Sequence, residues 1–514
     1  MKSEGLVPIV IGVSGHRQIR QDDYDAIYGS VLSELSKIKN DYPSSPIRVL
    51  TSLACGGDSI CALAARELGI PYTAVLPFDV DEFRKDFEGD ERVRFEELLS
   101  GADDVFVNPT VEEARNADRD YYYRQNSIYM ATMVHVFIAL WDGSEGRKFG
   151  CGTASAVRFA LEGSYYPENH IASSNESNSY VIRVATPRNG GDDASAGEVS
   201  YLGNIKGVRA ALKKTDEFNR EARKVTDVKT YPPLGEVYAK ADTLSQRAQK
   251  SYINTLLTTA VLGTLMIMTF LLYDNLDMVV MLMATILVFA AAFLIIRKSE
   301  KIKSHGRYIE YRVLAETMRV RDSLRYAGCE TPLSYLMNPT LQTDMLWVML
   351  ASDSLDTEGR NTETHDIKDI WVKDQMCYHA SAHVKSMKKA EASDRAVAIC
   401  TYLTAGLYLA ALIYEIRIAG RGDLSGETLR KIIKITLGTL SALVFFISGY
   451  FGKLSVERQS SDSVKMESFY KKMYRQLELN GQDNEILEYL SREELNEVSN
   501  WCSYKIENRP SIDV

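Results

Sequence analysis

The sequence is poor in features that would place it in several common classes of protein. Its seven cysteines are dispersed over 514 residues without any CxxC pair, which argues against a disulfide framework and against a zinc site. The net charge of −9 argues against a general nucleic-acid binder, because such a protein needs a basic face. We therefore expect no nucleic-acid partner, no metal and no cofactor, and soluble parts that lie in a reducing cytoplasm.

We do not expect the first residues to act as a secretory leader. The apolar run that begins at Ile9 is short and continues into a glycine-containing turn, whereas a signal peptide needs a longer apolar core. We expect insertion into a membrane to depend on internal segments.

Charge is absent from two long runs in the middle of the chain, 255–273 and 278–296. Each run has about the length that a helix needs to cross a hydrocarbon core. The joint between them, Asp274–Asp277, is short and polar, so the two runs form an antiparallel hairpin. The alternative is a hairpin buried inside a large soluble domain. We disfavour it because two adjacent uncharged runs of this length are rare in soluble proteins.

A second pair of apolar runs, 396–414 and 432–451, repeats the layout of helix, membrane pair and helix. This pair is less regular, because its joint, Glu415–Lys431, carries four basic residues and because Lys434 lies inside the last run. We predict four spans in total.

Small residues recur at every fourth position within the spans, as at Thr255, Thr259 and Gly263 and again at Gly438 and Ala442. Such spacing lets helices approach closely in lipid. The same residues could line a pore, but close packing without a pore is the more common use.

Upstream of the spans, continuous apolar segments alternate with amphipathic ones, which is typical of a parallel sheet covered on both faces by helices. We predict an α/β fold class: a Rossmann-like parallel sheet domain, then an all-α membrane region of two helical hairpins with long cytoplasmic helices. The predicted strands are Ile9–Val13, Arg48–Leu53, Tyr72–Leu76, Asp104–Val107, Val134–Leu140 and Val181–Ala185. Two polar stretches, Gly163–Ser179 and Asn189–Gly203, are predicted to be loops.

Candidate ligand-binding residues cluster at the ends of these strands, where open α/β sheets bind ligands. Glycine lets the backbone approach phosphate oxygens, the following helix offers free N–H groups, and Ser, Thr and Arg donate to anionic oxygens. The candidates are Gly12, Ser14, Gly15, His16, Arg17, Gly56, Gly57, Asp58, Gly152, Thr153 and Arg188.

Two of these assignments leave alternatives open. His16 could act as a general base oriented by Asp58, although donation to a phosphate is the simpler role. The aromatic run Tyr121–Tyr123 could stack on a base, although packing on the sheet is the more common use of tyrosine.

The motifs GVSGHR, SLACGGDSICALAARELGIPYTAVLPF, VFIALWDG and GCGTASAV, followed by a strand that ends in TPR, resemble the SLOG superfamily. That superfamily includes Rossmann-like nucleotide sensors and the cytokinin-activating lonely-guy phosphoribohydrolases. The resemblance covers about residues 5–190 and implies a nucleotide pocket bordered by the candidates named above.

One position departs from the enzymatic members of that superfamily, which carry a PGGxGTxxE motif whose Glu serves the chemistry. In the corresponding stretch, Phe149–Ala156, the Glu position is occupied by Ala156. A methyl group can neither accept a proton nor stabilise a cation. We therefore expect a pocket that holds a nucleotide without cleaving it, and we assign no catalytic residue.

The segments YRVLAETMRV, from Tyr311, and WVKDQMCY, from Trp371, resemble the SLATT group. These are paired-helix membrane modules of predicted bacterial conflict systems, often joined to nucleotide-sensing or nucleotide-making domains. The resemblance covers about residues 235–480 and implies a membrane effector, a pore former controlled by the sensor. Basic residues flank both ends of the first hairpin, so the positive-inside rule puts these ends in the cytoplasm.

Together these observations predict a multi-pass protein of the bacterial inner membrane with both termini in the cytoplasm. Its predicted parts are a nucleotide-binding domain (1–206), a linker (207–235), a first membrane unit (236–353), a second linker (354–366) and a second membrane unit (367–514). We expect an anti-phage effector, a homo-oligomer in which a nucleotide-type signalling ligand drives pore formation or disruption of the lipid bilayer. Two alternatives stay open: a membrane-tethered phosphoribohydrolase-type enzyme and a membrane scaffold without a ligand.

Overall fold

The structure is a computed structural model that describes residues 4–108, 118–145, 150–162, 180–188, 195–357, 364–419, 427–454 and 456–508. The chain divides into two compact units. The α/β unit comprises Met1–Ala241, Val313–Thr364 and Ser491–Ser499, and the helical unit comprises Asp242–Arg312, His365–Leu490 and Asn500–Val514. The predicted loop Gly163–Ser179 lies outside the described residues, as does much of the joint between the third and fourth predicted spans.

A seven-stranded sheet organises the α/β unit. Its strands are β1 (Ile9–Gly15), β2 (Ile47–Thr51), β3 (Tyr72–Leu76), β4 (Asp104–Val107), β5 (Val136–Trp141), β6 (Tyr180–Ala185) and β7 (Val199–Gly203). They lie in the order β4-β3-β2-β1-β5-β6-β7. The first six strands are parallel, and β7 pairs antiparallel with β6.

The helices of the α/β unit alternate with its strands. They are α1 (Tyr24–Asp41), α2 (Gly57–Glu67), α3 (Val80–Phe83), α4 (Gly89–Ser100), α5 (Arg119–Thr132), α6 (Thr153–Glu162) and α7 (Ile205–Ala222). All five residues of β3 are buried. Because successive side chains of a strand point to opposite faces, both faces of the sheet are covered at this strand. The α/β fold class predicted from the alternating pattern is confirmed.

Strand β7 corrects one expectation, since it lies within the stretch Asn189–Gly203 that we predicted to be a loop. Its residues are half-buried or exposed, and serine and glycine flank or interrupt them. An edge strand with one covered face lacks the continuous apolar run of a central parallel strand. The sequence signal was therefore weak.

The remainder of the chain is helical. Its helices are α8 (Glu236–Leu276), α9 (Val279–Ile302), α10 (Ser304–Tyr326), α11 (Pro339–Asp344), α12 (Leu346–Leu355), α13 (Asp374–Ala419), α14 (Glu427–Leu454), α15 (Val456–Asn480) and α16 (Asn484–Glu507). Of these, α11, α12 and the end of α10 belong to the α/β unit, whereas α9 and α13–α15 belong to the helical unit.

Four helices, α8, α9, α13 and α14, are long and apolar enough to cross a membrane. Their most apolar windows are only 6%, 0%, 0% and 11% buried, in chain order. Large side chains such as Leu287 and Phe445 are 70% and 72% exposed. A soluble protein does not leave apolar surface of this extent uncovered. The alternative of a hairpin buried inside a soluble domain is therefore wrong, and the four helices contain the four predicted spans.

The spans pack at small residues. A Cβ added to Gly263 of α8 would lie 2.3 Å from Cζ of Phe446 in α14, and one added to Gly438 of α14 would lie 2.5 Å from Cδ1 of Leu271 in α8. Glycine is thus the residue that lets these two helices approach. The close-packing interpretation of the small residues holds at these two positions.

Candidate functional site

The candidate site lies at the carboxyl ends of β1 and β5, where the strand order reverses. Strand β1 lies between β2 and β5, so the connections that follow β1 and β5 lead to opposite sides of the sheet order. Gly15, at the end of β1, is in register with Leu140 near the end of β5. In open α/β sheets, such a reversal leaves a crevice that binds ligands. Most of the predicted site residues follow these strands or their neighbours.

The glycines at the ends of β1 and β2 allow two loops to touch. A Cβ on Gly15 would lie 2.5 Å from the Cα of Gly57, and one on Gly56 would lie 2.2 Å from the main-chain oxygen of His16. Gly56 also has a φ of 81°, in the region that favours glycine. The structure therefore brings Gly15, Gly56 and Gly57 together. The absence of side chains at these positions allows the loops after β1 and β2 to contact each other.

Asp58 holds this contact in place from inside the protein. Its side chain is 4% exposed, and its Oδ1 accepts a hydrogen bond of 2.8 Å from the main-chain N–H of Gly15. Burial raises the pKa of the carboxyl to about 7, against the hydrogen bonds it accepts. Asp58 thus orients the turn after β1 and does not line the crevice.

The two helix N-termini beside the crevice differ in how their N–H groups are used. At α2, Gly57 donates to the oxygen of His16 over 3.0 Å and Ser59 donates to the oxygen of Ala54 over 3.2 Å. These donors are already occupied by the protein's own loops.

At α6, by contrast, the N–H groups of Gly152, Thr153 and Ala154 have no acceptor within the described residues. A Cβ added to Gly152 would meet nothing within 4 Å. The hydroxyl of Ser14 lies 3.5 Å from that of Thr153, which places the end of β1 beside this helix start. Free amides, a positive dipole end and two hydroxyls make α6 the part of the crevice suited to an anion.

A cluster of three polar side chains lies beside this helix start, made of His16, Asp142 and Arg188. Arg188 Nη2 lies 3.1 Å from His16 Nδ1, and Arg188 Nε lies 3.1 Å from Asp142 Oδ2. The main-chain N–H of Asp142 donates to His16 Nε2 over 3.1 Å. The three residues come from the ends of β1, β5 and β6, so the fold itself assembles them.

The charges of the cluster follow from their surroundings. Burial, and then the nearby Arg188, lower the pKa of His16, so the ring is neutral at pH 7. Burial opposes ionisation of Asp142, but hydrogen bonds from Ser144 and the interaction with His16 outweigh it and bring the pKa to about 2. Asp142 and Arg188 therefore carry opposite charges that balance each other.

Asp142 is the functional candidate that the sequence analysis did not select. It stands directly after the fifth predicted strand, which was a usable signal, but an acid is not expected in a pocket for anions. The structure also places Asp142, and not Asp58, as the carboxylate beside His16.

Arg17 is a cation of the crevice that is available to bind an anionic ligand. It is exposed, it has no ion-pair partner within the described part of the chain, and its guanidinium carbon lies 5.5 Å from the centre of the Tyr123 ring. Tyr122 and Tyr123 pack against Phe78, with ring centres 5.1 and 5.5 Å apart. These tyrosines thus have the packing role, and Arg17 lies over the ring of Tyr123.

Two further positions named in the sequence analysis lie in the core. A Cβ on Gly12 would lie 2.9 Å from Cγ1 of Val134. Val134 packs against β1 at Gly12 and leaves no room for a side chain there. Ala156 is fully buried in the apolar cluster that also holds Val10 and Phe137. A carboxylate at position 156 would have to enter that cluster, which is unfavourable without a partner.

Comparison with known proteins does not assign the chain to a family. No protein-family model matches the chain, and no curated protein matches it either. Within the described residues, no group of three His, Cys, Asp or Glu side chains could hold a metal ion.

Proposed function

We propose that this chain is a ligand-controlled membrane effector. In this proposal a nucleotide-type anion binds the crevice of the α/β unit and changes the arrangement of the four membrane helices, so that ions leak. The α/β unit lies in the cytoplasm at the bacterial inner membrane, with both termini on that side, and several copies of the chain assemble around the leak.

The observation that carries the proposal is the free start of α6 beside Ser14. Three N–H groups there have no acceptor among the described residues, and Arg17 adds a cation without an ion-pair partner in the same part of the chain. Phosphate oxygens are the ligand atoms that such a set binds best. No carboxylate stands at position 156 to assist bond cleavage, which favours sensing over hydrolysis.

Coupling to the membrane is supported by the way α8 begins. Residues Glu236–Ala241 of this helix belong to the α/β unit, and the same helix continues into the first span. Its start is fixed by Lys240 Nζ, which donates to the oxygen of Glu4 over 2.6 Å, and by Gly235 N–H, which donates to Asp322 over 2.8 Å. A shift within the α/β unit is therefore transmitted along the chain into a membrane helix.

The energy required for such a switch is within reach of a phosphate site. Turning a two-state equilibrium from about 1:99 to 99:1 needs roughly 5.5 kcal/mol of preference for one state. Hydrogen bonds to charged groups contribute about 1.5–3 kcal/mol each, so a few contacts at α6 and Arg17 suffice when they form in only one of the two states.

The cytoplasmic orientation of the first hairpin rests on its basic flanks. Arg247 and Lys250 precede the first span, and Arg297 and Lys298 follow the second, which favours the inside for both ends.

The second hairpin needs a separate argument, because its joint is basic. Two of its cations are neutralised: Arg430 makes a bidentate ion pair with Glu415 at 2.7 and 2.8 Å, and Lys431 pairs with Glu427 at 3.0 Å. These pairs lower the cost of placing the joint outside. A role in defence against phage rests on the SLOG and SLATT resemblance.

The test is leakage from liposomes that contain the full-length protein. We expect dye or ion release on addition of one class within a panel of cyclic dinucleotides, ADP-ribose derivatives and mononucleotides. Arg17→Ala should lose most of this response. Arg220→Ala, an exposed arginine of α7, is the matched control and should respond as the wild type does.

Other outcomes would overturn the proposal. Release of free base from a nucleotide would favour the membrane-tethered enzyme. If no nucleotide is retained in native mass spectrometry and leakage is absent, the chain is better described as a scaffold. Leakage that is equal in Arg17→Ala would remove the crevice from the mechanism.

A further inference from the structure

A cavity of about 630 Å³ lies in the helical unit at one end of the second hairpin. Its walls come from α13, the end of α14, the start of α15 and Tyr504 of α16. Small side chains, including Ser393, Ala398 and Ser448, leave this space open between the helices. The size is that of a small-molecule site, and no part of the nucleotide crevice contributes to it.

The cavity crosses the boundary between polar and apolar parts of the two spans. Asp394 precedes the apolar run of α13, and Glu457 and Arg458 follow the apolar run of α14. Tyr402, by contrast, stands inside the apolar run of α13 and is 78% exposed. Tyrosine is enriched at the membrane–water interface. When α13 and α14 cross a membrane, one side of the cavity therefore faces the headgroup region and the other faces the hydrocarbon.

The charges at the polar side are mixed. Within the described ranges, the carboxylates of Asp394 and Glu457 make no ion pair and accept no hydrogen bond. Arg458 is held over the ring of Tyr504, with 3.9 Å from its guanidinium carbon to the ring centre, and its Nε lies 3.6 Å from Asp462. The polar side thus offers two unpaired carboxylates and one oriented guanidinium.

We propose that this cavity binds a zwitterionic phospholipid that carries a primary ammonium, such as phosphatidylethanolamine. The ammonium has three donors for the carboxylates of Asp394 and Glu457, and the phosphate accepts from Arg458. The first carbons of the acyl chains lie along Val397 and Tyr402. An anionic lipid would bring only negative charge toward two carboxylates, so it fits less well.

This inference depends on α13 and α14 crossing a membrane, as in the proposed function, and is independent of any nucleotide. Its test uses the full-length protein in detergent, stripped of lipid and then supplied with equal amounts of phosphatidylethanolamine, phosphatidylcholine and phosphatidylglycerol. Native mass spectrometry counts the bound lipid. We expect one saturable site that prefers phosphatidylethanolamine, and no displacement by soluble glycerophosphoethanolamine at matched concentration, since that compound lacks the acyl chains.

Two variants and a control sharpen the test. Arg458→Gln should weaken phosphatidylethanolamine binding about fivefold, the effect expected of one cation at a membrane surface. Gly452→Leu should also weaken it, because Gly452 lines the cavity, a Cβ at this position meets nothing within 4 Å, and the added side chain takes up part of the space that the lipid needs. Lys472→Gln, an exposed lysine further along α15, should bind as the wild type does.

Three results would overturn the inference. Phosphatidylglycerol bound as tightly as phosphatidylethanolamine would show that the carboxylates do not select the headgroup. Unchanged binding in both cavity variants would place the lipid elsewhere. Displacement by glycerophosphoethanolamine would identify a site for a soluble molecule. None of these results bears on nucleotide-dependent leakage, which is measured separately.

Discussion

The side chain of His135 links β1 of the sheet to α12. Its Nε2 lies 2.7 Å from the main-chain oxygen of Leu350, and its Nδ1 accepts from the main-chain N–H of Val10 over 3.4 Å. Only the neutral ring protonated at Nε2 satisfies both contacts. Burial lowers the pKa of this histidine to about 4. The α/β unit therefore incorporates a residue from far along the chain through a histidine that must stay uncharged.

The stability of the α/β unit should depend on pH through His135. The unfolded chain binds a proton there near pH 6.5 and the folded chain near pH 4, so stability is full above pH 6.5 and falls as the pH drops toward 4. The loss amounts to about 3 kcal/mol at the acid end. His135→Gln keeps a donor for Leu350 but does not titrate, so this part of the pH dependence should vanish in chemical unfolding curves. An identical pH profile in both proteins would contradict the assignment.

Asp58 should show the opposite pH dependence. Its folded pKa of about 7 lies above its ordinary value of 3.8, so its contribution to stability is full at low pH and is lost as the pH rises through 7. Asp58→Asn still accepts from Gly15 and carries no charge, so it should gain stability relative to the wild type between pH 4 and pH 8.

The alanine variant separates the hydrogen bond from the charge. Asp58→Ala leaves the Gly15 N–H without its acceptor and should be about 1–3 kcal/mol less stable than Asp58→Asn at every pH. Unfolding curves of both variants across this pH range are the measurement. Equal stability of the Asn and Ala variants would show that the bond to Gly15 contributes nothing.

Much of the fold could be predicted because the signals were local. Strand β3 is buried on both faces and has a continuous apolar run, so it was predicted with the bounds that the structure has. Strand β4 was also predicted with its observed bounds, although its residues are exposed or half-buried. The exposed apolar helices were equally easy to predict, since charge is absent from the first three spans and only Lys434 lies inside the fourth. The register of β7 could not be predicted, because an edge strand depends on pairing with β6 and carries little pattern of its own.

The site could be predicted only in part. The spacing of the motifs showed which residues follow the ends of strands. It predicted that Gly15, Gly56 and Gly57 lie close together, as they do in the structure. It could not show which way each side chain points. Gly12 and Asp58 follow the same pattern as Ser14, yet the structure turns Gly12 into the core and Asp58 toward a backbone amide. The pairing of Asp142 with Arg188 depends on tertiary contacts between β5 and β6 and has no local sequence signature.

Asp142 should limit the affinity of the crevice for anions. Its carboxylate holds Arg188 at 3.1 Å and stays ionised at neutral pH, so a phosphate must compete with it. Asp142→Asn keeps the main-chain N–H that donates to His16 but releases Arg188. Affinity for ADP-ribose and for inorganic pyrophosphate should rise about fivefold, the effect of one partly exposed ion pair of about 1 kcal/mol. Isothermal titration calorimetry on the full-length protein measures the change.

A double variant tests whether Arg188 causes this gain. Asp142→Asn combined with Arg188→Ala should bind no better than Arg188→Ala alone. Equal gains with and without Arg188 would mean that removal of negative charge acts on the whole crevice and not through this pair.

The contact between Gly263 and Phe446 should set the spacing of α8 and α14. Because an added Cβ would already lie 2.3 Å from the Phe446 ring, Gly263→Leu forces the helices apart and should cost about 1–3 kcal/mol. Gly406→Leu is the matched control, since a Cβ at Gly406 in α13 meets nothing within 4 Å. Thermal unfolding in detergent should show a lower midpoint for Gly263→Leu and little change for Gly406→Leu. Adding Phe446→Ala should restore the midpoint of Gly263→Leu at least in part, because the smaller side chain gives back the room that the introduced leucine needs; no restoration would mean that the two helices do not meet at this glycine.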